Sequence, residues 1–226
     1  MTQPRATETK RSAAAVRRRK RELEILTATR GLFDARGVRD AQIEDIAQAV
    51  GVNRAIVYRH FTGKEELFAL TLVLYLDELR DALAAASDTS AEPHKRLTAI
   101  VEAFVGYGLQ HPAFVDCALT LMRSTGGELQ EEVSEAAMFR LGRAMTGCLR
   151  ILTLALQDGV ASGDFEVANP VLLSNTLYAS GLGALQLARV GILVDEVAPG
   201  VPTIGTLTGD DIRDYLVTSA LALAKA

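Results

Sequence analysis

Asn53, Arg54, Ala55, Tyr58, Arg59 and His60 fall within one short, mostly polar stretch of this 226-residue chain. If that stretch is helical, Ile56, Val57 and Phe61 turn inward and the polar set turns outward. A helix is about as wide as the major groove of duplex DNA, and the residues at its N-terminal end are placed to touch base edges. Upstream stands a dense basic run, Arg17-Arg18-Arg19-Lys20-Arg21. It suits phosphate contacts, either along the DNA backbone or as an arm in the adjacent minor groove. The plainer alternative is a solvated charge run that aids solubility.

The elements that must position these groups read as helices. Ile43, Ile46, Ala47 and Val50 recur at i, i+3, i+4 and i+7, the spacing of one helix face. Gly51 ends that helix, and Asn53 can cap the next by accepting a backbone N–H. Two short helices about a glycine turn, from Ile43 to Phe61, match a helix-turn-helix, and the small Ala47 lets them cross closely. Before them, Ile25, Leu26, Ala28, Leu32 and Phe33 line a first helix that stops at Gly37. Residues 1–15 lack periodicity and read as a flexible tail. After them, Thr62-Gly63-Lys64-Glu65 reads as a capping box, with Thr62 and Glu65 as reciprocal caps of a fourth helix. Apolar stripes continue from Leu97 to Gly108 and from Val115 to Met122. One long helix is expected from about Glu128 to Gly159, another from Asn169-Pro170 to Val190, and a last one is capped by Thr208. Residues 195–208 read as loop, and no segment alternates with period two. The expectation is an all-α fold of about nine helices. Residues 1–21 form a flexible basic extension, 22–68 the helix-turn-helix domain, and 69–226 a larger helical domain for regulation and dimerisation.

At this point the sequence resembles the tetracycline-repressor (TetR) family. The resemblance is carried by Ile43-Glu44-Asp45-Ile46-Ala47, by Gly51-Val52-Asn53-Arg54-Ala55-Ile56-Val57-Tyr58-Arg59-His60-Phe61 and by Thr62-Gly63-Lys64-Glu65-Glu66-Leu67. It runs from about Glu24 to Leu70; beyond that only the helical layout and length agree. It implies that Arg54 and Ala55 face bases, that Tyr58 and His60 reach phosphates, and that Arg59 meets a base or a phosphate. Lys64, at the start of the fourth helix, would hold backbone phosphate, which the helix dipole also favours. Two positions depart from the family's habit. Gln42 stands where threonine usually opens the second helix, a poor cap that can still hydrogen-bond phosphate. Ala55 often has glycine in its place.

The resemblance further implies a homodimer on a palindromic double-stranded operator, and a small-molecule effector held in the larger domain. Candidate pocket residues from the middle helices are Phe104, Tyr107, Phe114, Met122, Met138, Leu141, Met145 and Tyr178, a mixture suited to an apolar or amphipathic ligand. Each is equally a plain core residue by its spacing. The dimer is expected on the last two helices. Ala179 and Gly183, four apart and flanked by Ser180 and Ala184, allow close approach, with Leu182, Leu185, Arg189, Tyr215 and Leu216 extending the contact; the alternative is packing of these helices within one chain. A second reading keeps the DNA binding and drops the effector, giving a constitutive regulator or architectural protein.

Charge supports the division. Residues 1–65 hold 14 Lys+Arg against 8 Asp+Glu, whereas 66–226 hold 10 against 20. A basic head on an acidic body suits a head that meets a polyanion. With 49% apolar residues the chain can bury a sizeable core without disulfide or metal. Cys117 and Cys148 both lie in apolar segments and read as buried thiols. His60, His94 and His111 have no metal-ligand spacing, and neither a nucleophile elbow nor a P-loop occurs. No cofactor and no enzyme activity are expected. The apolar stretch Leu177–Val194 is interrupted by Gln186 and Arg189, so it reads as a buried helix and not as a membrane span. With no apolar segment following the basic N-terminus, the expected location is cytoplasmic.

Overall fold

A computed structural model describes the backbone of residues 5–225 and side chains from residue 13 onward. Ten helices and one hairpin follow in order: α1 (Arg5–Arg36), α2 (Ile43–Val50), α3 (Arg54–His60), α4 (Lys64–Ala86), α5 (Pro93–Gln110), α6 (Pro112–Leu121), α7 (Gly126–Glu132), α8 (Glu135–Ser162), α9 (Pro170–Val190), β1 (Ile192–Ala198), β2 (Val201–Thr206) and α10 (Gly209–Lys225). The fold is all-α apart from that hairpin.

Several boundaries differ from expectation for identifiable reasons. Of the expected irregular tail, residues 1–4 lie outside the described residues, and from Arg5 the backbone is helical, so the basic run belongs to α1. The long helix expected from Glu128 to Gly159 is two helices. Val133 takes extended backbone and is buried, and Ser134 caps α8 by accepting from the Ala137 N–H. An antiparallel hairpin begins at Ile192 and fills most of the expected loop at 195–208, pairing Val194 with Ile204 and Leu193 with Gly205. Its apolar side chains stand on both faces, which erases the alternation that would have announced strands. The capping box at Thr62 does not form. Gly63 is the N-cap of α4, and Thr62 Oγ1 lies 2.7 Å from Glu66 Oε2. Buried Glu66 also accepts the Ser134 N–H at 2.9 Å, which bolts the start of α4 to the start of α8.

The core is one continuous cluster in which α4 is the central element, with Leu67, Leu76 and Leu79 fully buried. Close packing of α5 on α9 depends on Gly108: a Cβ there would stand 2.3 Å from a Leu185 methyl. The two thiols are interior. Cys117 donates to the Phe68 carbonyl at 3.4 Å and Cys148 to the Leu76 carbonyl at 3.2 Å. Burial raises both thiols, Cys148 to about 12.

A polar cluster joins the head to the body. Arg30 of α1 forms a two-pronged ion pair with Glu78 of α4, its second prong 2.6 Å long. The Arg30 guanidinium stacks over Tyr75 at 4.4 Å, and the Tyr75 hydroxyl donates to Asp34 at 2.7 Å. From α5, the Tyr107 hydroxyl donates to the Tyr75 carbonyl at 2.9 Å. The hydrogen bond from Arg30 holds the Glu78 carboxyl below its ordinary value. A depressed carboxylate contributes stability above its unfolded value, and that contribution is lost as pH falls through the folded value. Glu78→Gln should therefore lower the melting temperature at pH 7. The gap to the parent should close as pH drops below about 4, near the ordinary glutamate value, and should shrink with added salt because Glu78 is half exposed. Melting curves across pH check this.

Candidate nucleic-acid interface

The turn between α2 and α3 is fixed by backbone chemistry. Gly51 takes a left-handed conformation with φ of 69°, and its N–H is satisfied by the Gln48 carbonyl at 3.0 Å. That region favours glycine because a Cβ would crowd the backbone. Asn53 Oδ1 then accepts the Ile56 N–H at 3.1 Å and starts α3. Gln42 is the N-cap of α2, where its backbone N–H donates to Asp45 Oδ2 at 3.3 Å.

α3 buries Val57, and the chain leaves it through buried Phe61. Ile56 is only half-buried. Asn53, Arg54, Ala55, Tyr58 and Arg59 are exposed together, as is Gln42, while His60 and Lys64 are half-buried. Six of the expected contact residues are thus exposed on α3 and its approaches, with two more half-buried beside them.

Two features of this surface come only from the packing. Arg54 is folded back: Nη1 donates to Glu44 Oε1 at 2.5 Å, and Nη2 donates to Tyr58 Oη at 3.2 Å. Its guanidinium also lies 5.3 Å from the Tyr58 ring centroid. Glu44 was not expected to take part, because it is ten positions away and reaches Arg54 only when α2 packs on α3. The basic run also divides. On a helix, successive residues point about 100° apart. Arg17, Arg18 and Arg21 accordingly gather beside Ile56, Arg59 and His60 in a cationic recess. Arg19 turns away to Leu23 and to Arg140 of α8, where Arg140 pairs with Glu22 at 2.5 Å. Burial, then Arg18, Arg59 and Arg21, hold the His60 imidazole below its ordinary value, opposed by Glu22. Lys64 opens α4 with its Nζ 5.0 Å from the Phe68 ring centroid.

The body holds a second recess of about 540 Å³, counting its open mouth, between α4, α5, α8, α9 and α10. Of the residues expected to line a pocket, Phe104 and Tyr178 do so. Tyr107 and Phe114 belong to the core around Tyr75 instead, and Met122 is exposed at the end of α6. Met138, Leu141 and Met145 pack half-buried on α8, outside the recess. The lining that was missed includes Leu79, Leu83, Leu152, Leu177 and Gly181. Their spacing is that of ordinary core, so only the packing distinguishes them. Burial raises the Tyr178 phenol above its ordinary value, leaving it neutral. On the expected dimer helices, Leu182, Leu185 and Leu216 are buried within the chain and unavailable to a partner. α9 is apolar on more than one side, so periodicity did not separate its inner face from its outer one. Gly183 and Tyr215 are exposed, Ala179 is half-buried, and Arg189 pairs with Asp116 of α6.

Comparison with known proteins bears on this head first. Residues 25–71 match the sequence profile described as "Bacterial regulatory proteins, tetR family". The head is thus similar to that of TetR-family regulators. Among curated relatives, the HTH-type transcriptional activator FasR of Mycolicibacterium smegmatis is 33% identical over 90 residues, 40% of this chain and 41% of that protein. The transcriptional repressor KstR2 of Rhodococcus jostii is 26% identical over 150 residues, 65% of this chain and 68% of its own. The match to FasR, like that to the regulator BetI of Brucella canis, spans about 41% of the relative's length. The fold of the whole chain is shared more widely. RolR in complex with resorcinol superposes with a TM-score of 0.68 at 17% identity, covering 93% of this chain and 90% of that one. KstR2 of Mycobacterium tuberculosis does so with a TM-score of 0.57 at 20% identity, covering 91% and 95%. No helix among the described residues is long and apolar enough to cross a membrane.

The Asn53 cap is the local contact on which α3 depends. Asn53→Ala should cost about 1 kcal/mol of stability, read as a lowered denaturation midpoint, while Asn53→Asp should retain most of it.

Proposed function

We propose that this protein is a dimeric transcriptional regulator of the TetR type that reads a palindromic operator through α3 and leaves it when an apolar ligand fills the body recess. The observation that carries the DNA reading is the outward set on α3, Arg54, Ala55, Tyr58 and Arg59, beside the recess of Arg17, Arg18 and Arg21, on a helix anchored by Val57. Bases are read by side chains at the front of the helix, and phosphates by the cations around it. Arg54 must exchange Glu44 for a base edge on binding. Arg17, Arg18 and Arg59 supply backbone contacts, with Lys64 at the α4 N-terminus adding another.

The ligand reading rests on the chemistry of the recess. No charged side chain lines it; its polar groups are the neutral Tyr178 phenol and Cys148 thiol. A charged ligand buried there would lose its hydration without a partner, so the fitting ligand is uncharged and mostly hydrocarbon. The recess is lined by Leu79 and Leu83, near the far end of the helix that begins at Lys64. A ligand that separates α4 from α8 therefore acts on the element carrying the head, and shifts the population between head spacings that fit the operator and spacings that do not.

Selection from random duplex DNA tests the reading directly: the expected product is a two-fold symmetric site. Tyr58→Ala and Lys64→Ala should weaken binding to all sequences alike and flatten its salt dependence. Arg54→Ala should relax one base position per half-site by about 1–3 kcal/mol. Glu44→Ala should strengthen binding, since Arg54 no longer has to leave a carboxylate, and a gel-shift titration showing weaker binding would count against that exchange. Melting against a panel of uncharged apolar compounds should yield one that raises the midpoint and releases DNA; a charged compound as the sole hit would refute the recess chemistry.

A further inference from the structure

The hairpin is the part of the molecule that the fold leaves without a role. β1 and β2 pair with each other from Ile192↔Thr206 to Ala198↔Val201, and fourteen of residues 192–206 are exposed. Six of them are large and apolar: Ile192, Leu193, Val194, Val197, Val201 and Ile204, with Val194 and Ile204 each 72% exposed. Paired residues share a face, and faces alternate along the strand. Ile192, Val194 and Ile204 thus line one face, while Leu193 shares the other with Asp195, Thr203 and Gly205, so the first face is the apolar one. A lone two-stranded hairpin is marginally stable in water, and its open edges invite pairing. These side chains belong against another surface.

The surrounding surface names that partner. The hairpin leaves α9 at Gly191, whose carbonyl accepts the Leu207 N–H at 3.2 Å and closes its base, and it returns directly into α10. Next to that base α9 exposes Leu187 and Val190, and α10 exposes Tyr215 at 67%. Exposed apolar side chains thus occur on the end of α9, on the hairpin and on α10, the two helices between which the hairpin is strung. Its extent also matters. α9 and α10 together expose seventeen residues, and these point in several directions. A stable interface takes about 20–30 residues a side, so the two helices alone fall short and the fourteen of the hairpin supply the difference. We propose that the hairpin is an arm that embraces a second copy of this chain, laying Val194 and Ile204 against the partner beside the α9–α10 face. This inference rests on the dimer in the proposed function and specifies how that dimer is held.

The test compares three full chains by sedimentation over a dilution series. One is unaltered. In the second, residues 194–204 are replaced by an Asn-Gly turn that keeps the Leu193–Gly205 pair. The third carries Val194→Asp and Ile204→Asp, which touch no core contact and keep the arm's length. The unaltered chain should dimerise. Both variants should dimerise roughly 100-fold more weakly, the size expected when several apolar side chains per protomer stay in water, with unchanged helical circular dichroism. If either folded variant dimerises as tightly as the unaltered chain, the arm is overturned and the dimer stands. If the unaltered chain is monomeric throughout, arm and dimer fall together.

Discussion

Arg30 reaches from α1 to Glu78 on α4 with two parallel hydrogen bonds, and lies across the Tyr75 ring as it does so. A bidentate, stacked arginine fixes direction as well as distance. Tyr75 and Tyr107 extend the same cluster to Asp34 and into α5. α1, which carries the basic recess, is thereby oriented on α4, which carries the hydrocarbon-lined recess further along. Without that orientation, a change in the body would leave the head free to swivel. With it, α1 is fixed to α4 in direction as well as in distance. Glu66 adds a second joint, tying the first turn of α4 to Ser134 at the start of α8. The head is thus held to the body by directional polar contacts, and the body is held together by apolar packing that can yield by small amounts.

Electrostatics divides the molecule in a complementary way. The acidic body answers many of its own cations: Arg96 pairs with Asp158 at 2.6 Å, Lys95 with Glu92 at 2.8 Å, and Arg189 with Asp116. On the head, Arg17, Arg18 and Arg59 gather around one recess, where like charges repel unless an anion comes between them. Arg54 differs from these in already holding a carboxylate. In the proposed reading, a cation that binds phosphate loses little by waiting in water, whereas an arginine that reads a base gains from being held in one place. The Glu44 pair is exposed and therefore weak enough to give way.

Much of the head was legible in the sequence because its signals are local. Ile43, Ile46 and Ala47 mark a face over two turns, Gly51 marks the reversal, and Asn53 marks the next start. Each of these acts within four residues. What escaped notice depends on residues far apart in the chain. Glu44 meets Arg54 through the crossing of two helices, and Arg19 parts from Arg18 because the run is helical. The recess needs Leu79, Leu152 and Leu177 from three helices, none distinguishable by spacing from core. Leu182, Leu185 and Leu216 were misplaced because a helix apolar on several sides carries no label for its inner face. The hairpin reads as loop in the sequence because Ile192, Leu193 and Val194 follow one another without alternation and Pro199, Gly200 and Pro202 interrupt the rest.

The interior position of the two thiols has a practical corollary. Thiol reagents attack the thiolate, and both Cys117 and Cys148 are buried, hydrogen-bonded to carbonyls and raised far above neutrality. In the folded state they are chemically silent. A single cysteine introduced on the solvent side of α1 or α3 can therefore carry a spin label or fluorophore with no need to remove the native pair, and the distance between two such labels across an assembled molecule would report head separation directly.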